Sequence, residues 1–166
     1  MRRAVLLVTV AALATWVGDA AFASTPVLLR TPGAEFIELG RGNGRAVITR
    51  RGSLNVNLRR RGHIRVVDLP GGGRPNVRCN KAGVRIRPST VQFRGPELRC
   101  LVSSGRRGGP WQTVIRGRGI FASGVVRGSL TLDGADRGPT GVFRIGAEGG
   151  WRDWPRNART YGLDRT

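Results

Sequence analysis

From residue 24 onward the chain alternates apolar and polar residues in short runs, with glycine at the joints. A period of two is that of a strand with one buried face, and an amphipathic helix cannot use it. Leu54, Val56 and Leu58 fall on one side of their run; Ser53, Asn55 and Asn57 fall on the other. Ile64 and Val66 repeat the pattern after Gly62, and Val84 and Ile86 repeat it after Gly83. Val91 with Phe93, Leu98 to Val102, Leu130 with Leu132, and Phe143 with Ile145 follow. These residues are the expected core. No apolar set recurs at three-and-four spacing, and Gly71-Gly72-Gly73, Gly95-Pro96, Gly108-Gly109-Pro110 and Gly134 read as turns. The expected fold is therefore all-β, a single domain built as an antiparallel two-sheet sandwich or a flattened barrel.

The start of the chain has a different grammar. Met1-Arg2-Arg3 is a positive n-region, Ala4 to Val17 is an apolar run of about 14 residues, and Ala21-Phe22-Ala23 precedes Ser24. That is the layout of a cleaved secretory signal peptide. The run is short of the roughly 20 residues that span a bilayer. The expected organisation is a signal peptide over 1–23, a β domain over 24–155 and a loosely held tail over 156–166. The expected location is secreted or associated with the cell envelope, with no transmembrane segment after cleavage.

Charge is the second constraint. The full chain has 29 Lys and Arg against 10 Asp and Glu, a net charge of +19. Residues 1–23 carry two arginines and one aspartate, so cleavage leaves about +18. Lys81 is the only lysine, and the arginine preference together with 26 glycines fits a GC-rich genome. Such bias does not explain the scarcity of acids. A charge of this size opposes compaction and attracts polyanions. On the strand alternation, Arg65, Arg85, Arg87, Arg94, Arg127 and Arg144 take the outward phase, so they are the candidate polyanion-binding residues.

Cys79 and Cys100 share their strand faces with Val77 and with Leu98 and Val102, so both thiols point inward. In an exported chain they read as a disulfide; the alternative is two buried free thiols. A metal site is not expected, because His63 is the only histidine and there is no C-x-x-C. No cofactor signature is present: Gly117-Arg118-Gly119 and Gly71-Gly72-Gly73 lack the lysine and helix of a phosphate loop and read as turns. A serine hydrolase would need His63 as its base and has no G-x-S-x-G elbow. The acids Glu35, Glu38, Asp68, Glu97, Asp133, Asp136, Glu148, Asp153 and Asp164 could supply a glycosidase pair, but nothing in their spacing marks one. Trp151 and Trp154 either cap the core or stack on sugar rings.

Two short stretches recur. Arg51-Gly52-Ser53-Leu54 returns as Arg127-Gly128-Ser129-Leu130, offset by 76, and Gly40-Arg41-Gly42 returns as Gly117-Arg118-Gly119, offset by 77. Either the chain contains an old duplication, or a glycine- and arginine-rich composition repeats itself by chance.

The order Gly117-Arg118-Gly119-Ile120, Gly128 to Gly134, Gly141 to Gly146 and Trp151 to Pro155 resembles that of uncharacterised exported all-β proteins of high-GC bacteria. The resemblance covers about half of the mature chain. It implies export and one compact β domain, and no activity. The expected function is non-enzymatic: an exported β module that binds acidic cell-envelope polymers or other polyanions through its outward arginines. Nucleic acid would bind by charge alone, but export removes it from the physiological partners. The alternatives are a structural or protein-interaction domain whose charge is compositional, and a glycan hydrolase with unmarked carboxylates.

Overall fold

A computed structural model describes residues 34–105 and 108–164; the expected signal peptide lies outside them. The described chain is all-β and antiparallel. It comprises β1 (Glu35–Leu58), β2 (Gly62–Asp68), β3 (Asn76–Cys79), β4 (Val84–Arg87), β5 (Thr90–Gly95), β6 (Leu98–Ser103), β7 (Trp111–Gly134), β8 (Val142–Ile145), β9 (Arg152–Asp153) and β10 (Arg159–Gly162). All ten belong to one hydrogen-bonded sheet, which curls into a half-barrel.

Two strands of 24 residues, β1 and β7, organise the sheet. Each is bent twice and is paired on both edges. Residues 44–50 of β1 lie between residues 111–117 and 128–134 of β7; residues 120–126 of β7 lie between 35–42 and 52–58 of β1. The outer flanks are then filled. β8 joins the start of β1 and β6 joins its end; β2 joins the start of β7 and β10 joins its end. β5 and β4 extend the sheet beyond β2, and β3 extends it beyond β6.

The bends explain what a strict alternation misses. Ile37 and Leu39 are buried on odd numbers, whereas Ala46, Ile48, Leu54, Val56 and Leu58 are buried on even ones. The phase changes where the ladder slips between Leu39 and Gly42. In β7, Trp111, Thr113 and Ile115 are buried on odd numbers and Ile120, Ala122, Val126, Leu130 and Leu132 on even ones. That change falls at Gly117–Gly119, expected as a turn, which is the bend inside β7. An extra residue at a bulge carries the strand round a corner and flips its faces.

Most of the expected core is buried: Leu54, Val56, Leu58, Ile64, Val66, Phe93, Leu98, Leu130, Leu132 and Phe143, with Val91 and Ile145 packed against it. Val84 and Ile86 are the exceptions, 65% and 43% exposed. β4 is the last strand of its edge and pairs only with β5, and both side chains stand in solvent. The segment expected as a loose tail is also anchored. Residues 159–162 pair with β7, and Leu163 is fully buried with its N–H on the Gly128 carbonyl.

Cys79 and Cys100 face each other across β3 and β6 and form a disulfide. It is compatible with an extracytoplasmic location. Among the described residues no helix is long and apolar enough to cross a membrane.

Candidate polyanion-binding face

Residues paired across an antiparallel ladder project on the same side, about 5 Å apart from strand to strand. On β7 and β2 the inward residues are Ile115 and Ile64, both fully buried. Their neighbours Arg116 and His63 therefore point outward, and they are partners in register. His63 is also in register with Arg94 of β5, and Arg116 with Arg45 of β1. The result is one row across four strands: Arg45, Arg116, His63, Arg94. Arg65 stands two residues along β2 on the same face, its Nε donating to Gln92 Oε1 at 2.7 Å. The β1–β2 turn adds exposed Arg59, Arg60 and Arg61 at the start of β2.

The electrostatics of the row register in its one titratable base. His63 is held below the ordinary histidine pKa, first by burial and then by the charges of Arg65, Arg94 and Arg116. Like charges this close make the imidazolium costly. The row has an acid only at its end, where Asp133 partners Arg45 in register. Among the described residues, ion pairs within 4.0 Å join Arg127 to Asp164 and Arg144 to Glu38, and neither involves the row.

The six arginines picked from the sequence do not form one face. Arg65 and Arg94 belong to the row's neighbourhood, and Arg87, in register with Thr90, lies on the same side at the β4 edge. Arg85 does not. It is in register with Val91 and points to the inner side, where it lines a groove of about 240 Å³ with Val77, Val91, Phe93 and Arg74. The reversal follows from β4 itself: the expected phase makes Val84 and Ile86 core residues, and both are exposed. Arg127 is turned to Asp164, Nε to Oδ1 at 3.3 Å. Arg144 donates from Nε to Glu38 Oε2 at 2.8 Å and lies over Phe36 and Trp151. Arg45 and Arg116 were missed. Arg116 follows Ile115 in plain alternation, but reading the adjacent Gly117-Arg118-Gly119 as a turn hid the strand that carries it.

A second concavity sits at the first bend of β1. It measures about 850 Å³ and is lined by Arg41, Asn43, Phe121, Thr140, Asp153 and Arg156 among others. Trp154, 2% exposed, forms part of its wall, and its indole N–H donates to the Val142 carbonyl at 3.0 Å. Trp154 thus caps the core, whereas Trp151 stays half exposed. Each concavity has one acid on its wall, Asp68 in the smaller and Asp153 in the larger. Neither brings together the two carboxylates that glycoside hydrolysis uses. No cluster of three or more His, Cys, Asp or Glu side chains suited to a metal occurs among the described residues.

Compared with protein-family models, curated proteins and solved structures, the chain matches none.

Proposed function

We propose that this protein is an exported, non-enzymatic β module that binds acidic polymers of the cell envelope on the outward face of β1, β7, β2 and β5. The observation that carries the reading is the register of Arg45, Arg116, His63 and Arg94. The strands that carry these three guanidiniums and the imidazole lie about 5 Å apart. Guanidinium forks hold carboxylate and phosphate at two points, so a row of them suits a chain of repeated anions. The excess of positive charge, the disulfide and the signal-like first 23 residues all support the same reading.

The test is positional, because net charge alone gives some retention on any acidic resin. Arg45, Arg94 and Arg116 are replaced together by glutamine. The control replaces Arg78, Arg99 and Arg137, which are exposed elsewhere on the sheet and its loops. Both triple variants lose the same charge. A binding face predicts elution from an acidic polysaccharide at distinctly lower salt for the first set. Screening should weaken the wild type too, since the Debye length falls from ~10 Å at 0.1 M to ~3 Å at 1 M. Equal losses from the two sets would overturn the proposal and favour a protein-interaction role, for which Val84 and Ile86 on the open β4 edge offer a surface.

A further inference from the structure

The larger concavity has a different chemistry from the row beside it. Its wall carries two exposed guanidiniums, Arg41 and Arg156, one exposed carboxylate, Asp153, the polar side chains of Asn43 and Thr140, and the apolar side of Phe121. We propose that this cleft is a saccharide subsite that takes an acidic sugar, of the uronic-acid class, from a polymer lying along the arginine row. This deepens the reading above and rests on it for the polymer, though not for the sugar.

Four observations lead there. The volume of about 850 Å³ gives room for a sugar ring. Arg41 sits at φ 52°, in the left-handed region that side chains other than glycine seldom adopt. Strain of that kind gathers where a side chain must be aimed. Arg156 is already positioned, its two terminal nitrogens on the carbonyls of Asp136 and Gly138 at 3.1 and 3.4 Å. Phe121 is stiffened by Arg59, whose guanidinium carbon lies 4.5 Å from the ring centroid.

The mixture selects the ligand. A phosphate polymer offers no hydroxyl to donate to Asp153 and no C–H face to lie against Phe121. A sugar has hydroxyls that donate to a carboxylate, a C–H face that lies against an apolar wall and, in a uronic acid, a carboxylate for an arginine fork. The cleft supplies all three. It is also connected to the row: Asn43 on its wall is two residues from Arg45. A polymer anchored on the row can therefore place one residue in the cleft.

The experiment follows the indole N–H resonance of Trp154, whose ring forms part of the cleft wall, in the full-length mature protein. Three probes are titrated: a trigalacturonate, the neutral trisaccharide maltotriose and inorganic polyphosphate. The expected result is a saturable shift with trigalacturonate at least ten times tighter than with maltotriose, and none with polyphosphate. Phe121→Ala should weaken trigalacturonate at least tenfold. Asp153→Asn, an exposed near-isosteric change, should weaken it severalfold without altering the melting temperature. A silent Trp154 with trigalacturonate, or an equal shift with polyphosphate, would overturn the subsite. The row and the cleft fail separately. Equal salt elution of the two triple variants removes the row while a Trp154 shift keeps the cleft, and the reverse pattern removes only the cleft.

Discussion

Gly52 and Gly128 occupy the same place in two equivalent strands. They are 76 residues apart, as are the starts and the ends of β1 and β7 (Glu35 to Trp111, Leu58 to Gly134). Both have left-handed φ, 137° and 128°. Gly52 pairs with Val126 while Gly128 pairs with Arg50, the same relation with the strands exchanged. The Gly52 carbonyl accepts from Ser104, just past β6; the Gly128 carbonyl accepts from Leu163, just past β10. β2 lies on the start of β7 as β8 lies on the start of β1. The 76-residue offset between Arg51–Leu54 and Arg127–Leu130 is thus also the offset between β1 and β7, two strands that pair with each other in exchanged roles.

That equivalence yields a stability prediction. A Cβ on Gly52 would stand 2.1 Å from the Val125 carbonyl oxygen, and one on Gly128 2.1 Å from the Thr49 carbonyl oxygen. Backbone cannot swing aside as a side chain can. Alanine at either site should cost about 3 kcal/mol or more in urea unfolding, from clash added to backbone strain. Gly71→Ala is the control: φ is 105° there, but nothing lies within 4 Å of the added carbon. Its cost should be only about 1 kcal/mol. Similar losses at all three positions would mean that the corners relax freely.

Much of the fold was legible because burial on one face writes itself as alternation. Leu54, Val56 and Leu58 were assigned correctly because no bulge interrupts residues 53–58 in their pairing with β6. The failures lie where alternation carries no information. Slips at Leu39–Gly42 and Gly117–Gly119 change the phase within a strand, so one long strand reads as two with a turn between. Val84 and Ile86 alternate as well as any buried pair, but burial depends on a neighbour, and an edge strand has none. The arginine row was only half legible for the same reason. Arg65 and Arg94 follow from local phase, whereas their alignment with Arg116 and Arg45 is a property of long-range register.

The disulfide should act locally. β3 is attached to the sheet only through β6, and Cys79–Cys100 ties the two directly. The bridge closes a loop with a sequence separation of 21, which corresponds to about 3 kcal/mol of constraint on the unfolded chain. Reduction should lower the melting temperature. It should also release the amides of Asn76 to Cys79 to hydrogen exchange before those of β1 and β7. Uniform loss of protection across the sheet would argue that β3 is held by more than the bridge.

His63 gives stability a pH dependence of known sign. Its folded pKa is depressed, so below the ordinary value of about 6.5 the unfolded chain binds more protons than the folded one. The contribution of His63 is full above that value and is lost as pH falls through the folded pKa. Chemical denaturation across pH 7 to 5 should therefore show the wild type losing stability relative to His63→Gln. As the only histidine, it can be followed by its C2–H resonance, whose midpoint should lie below 6.5. A midpoint above that value would show that the arginines nearby do not reach the ring.

Two threonines on one strand differ in what their hydroxyls meet. Thr113 and Thr131 both lie on β7, on opposite sides of the sheet. Thr113 is fully buried, in register with Ile48 and Val66, and its Oγ1 has no hydrogen-bond partner among the described residues. Thr131 is partly exposed, and its Oγ1 lies 2.8 Å from that of Thr160 on β10. Valine matches threonine in shape and replaces the hydroxyl by a methyl. A buried, unpartnered hydroxyl carries a desolvation cost that no bond offsets, so Thr113→Val should stabilise the protein by about 1 kcal/mol. The same substitution at Thr131 removes a made hydrogen bond and should cost about 0.5 kcal/mol. Urea midpoints at unchanged m-value measure both. If Thr113→Val destabilised the protein, its hydroxyl would have a partner in solution, and the core beneath Trp111 would hold a polar contact rather than a dry one.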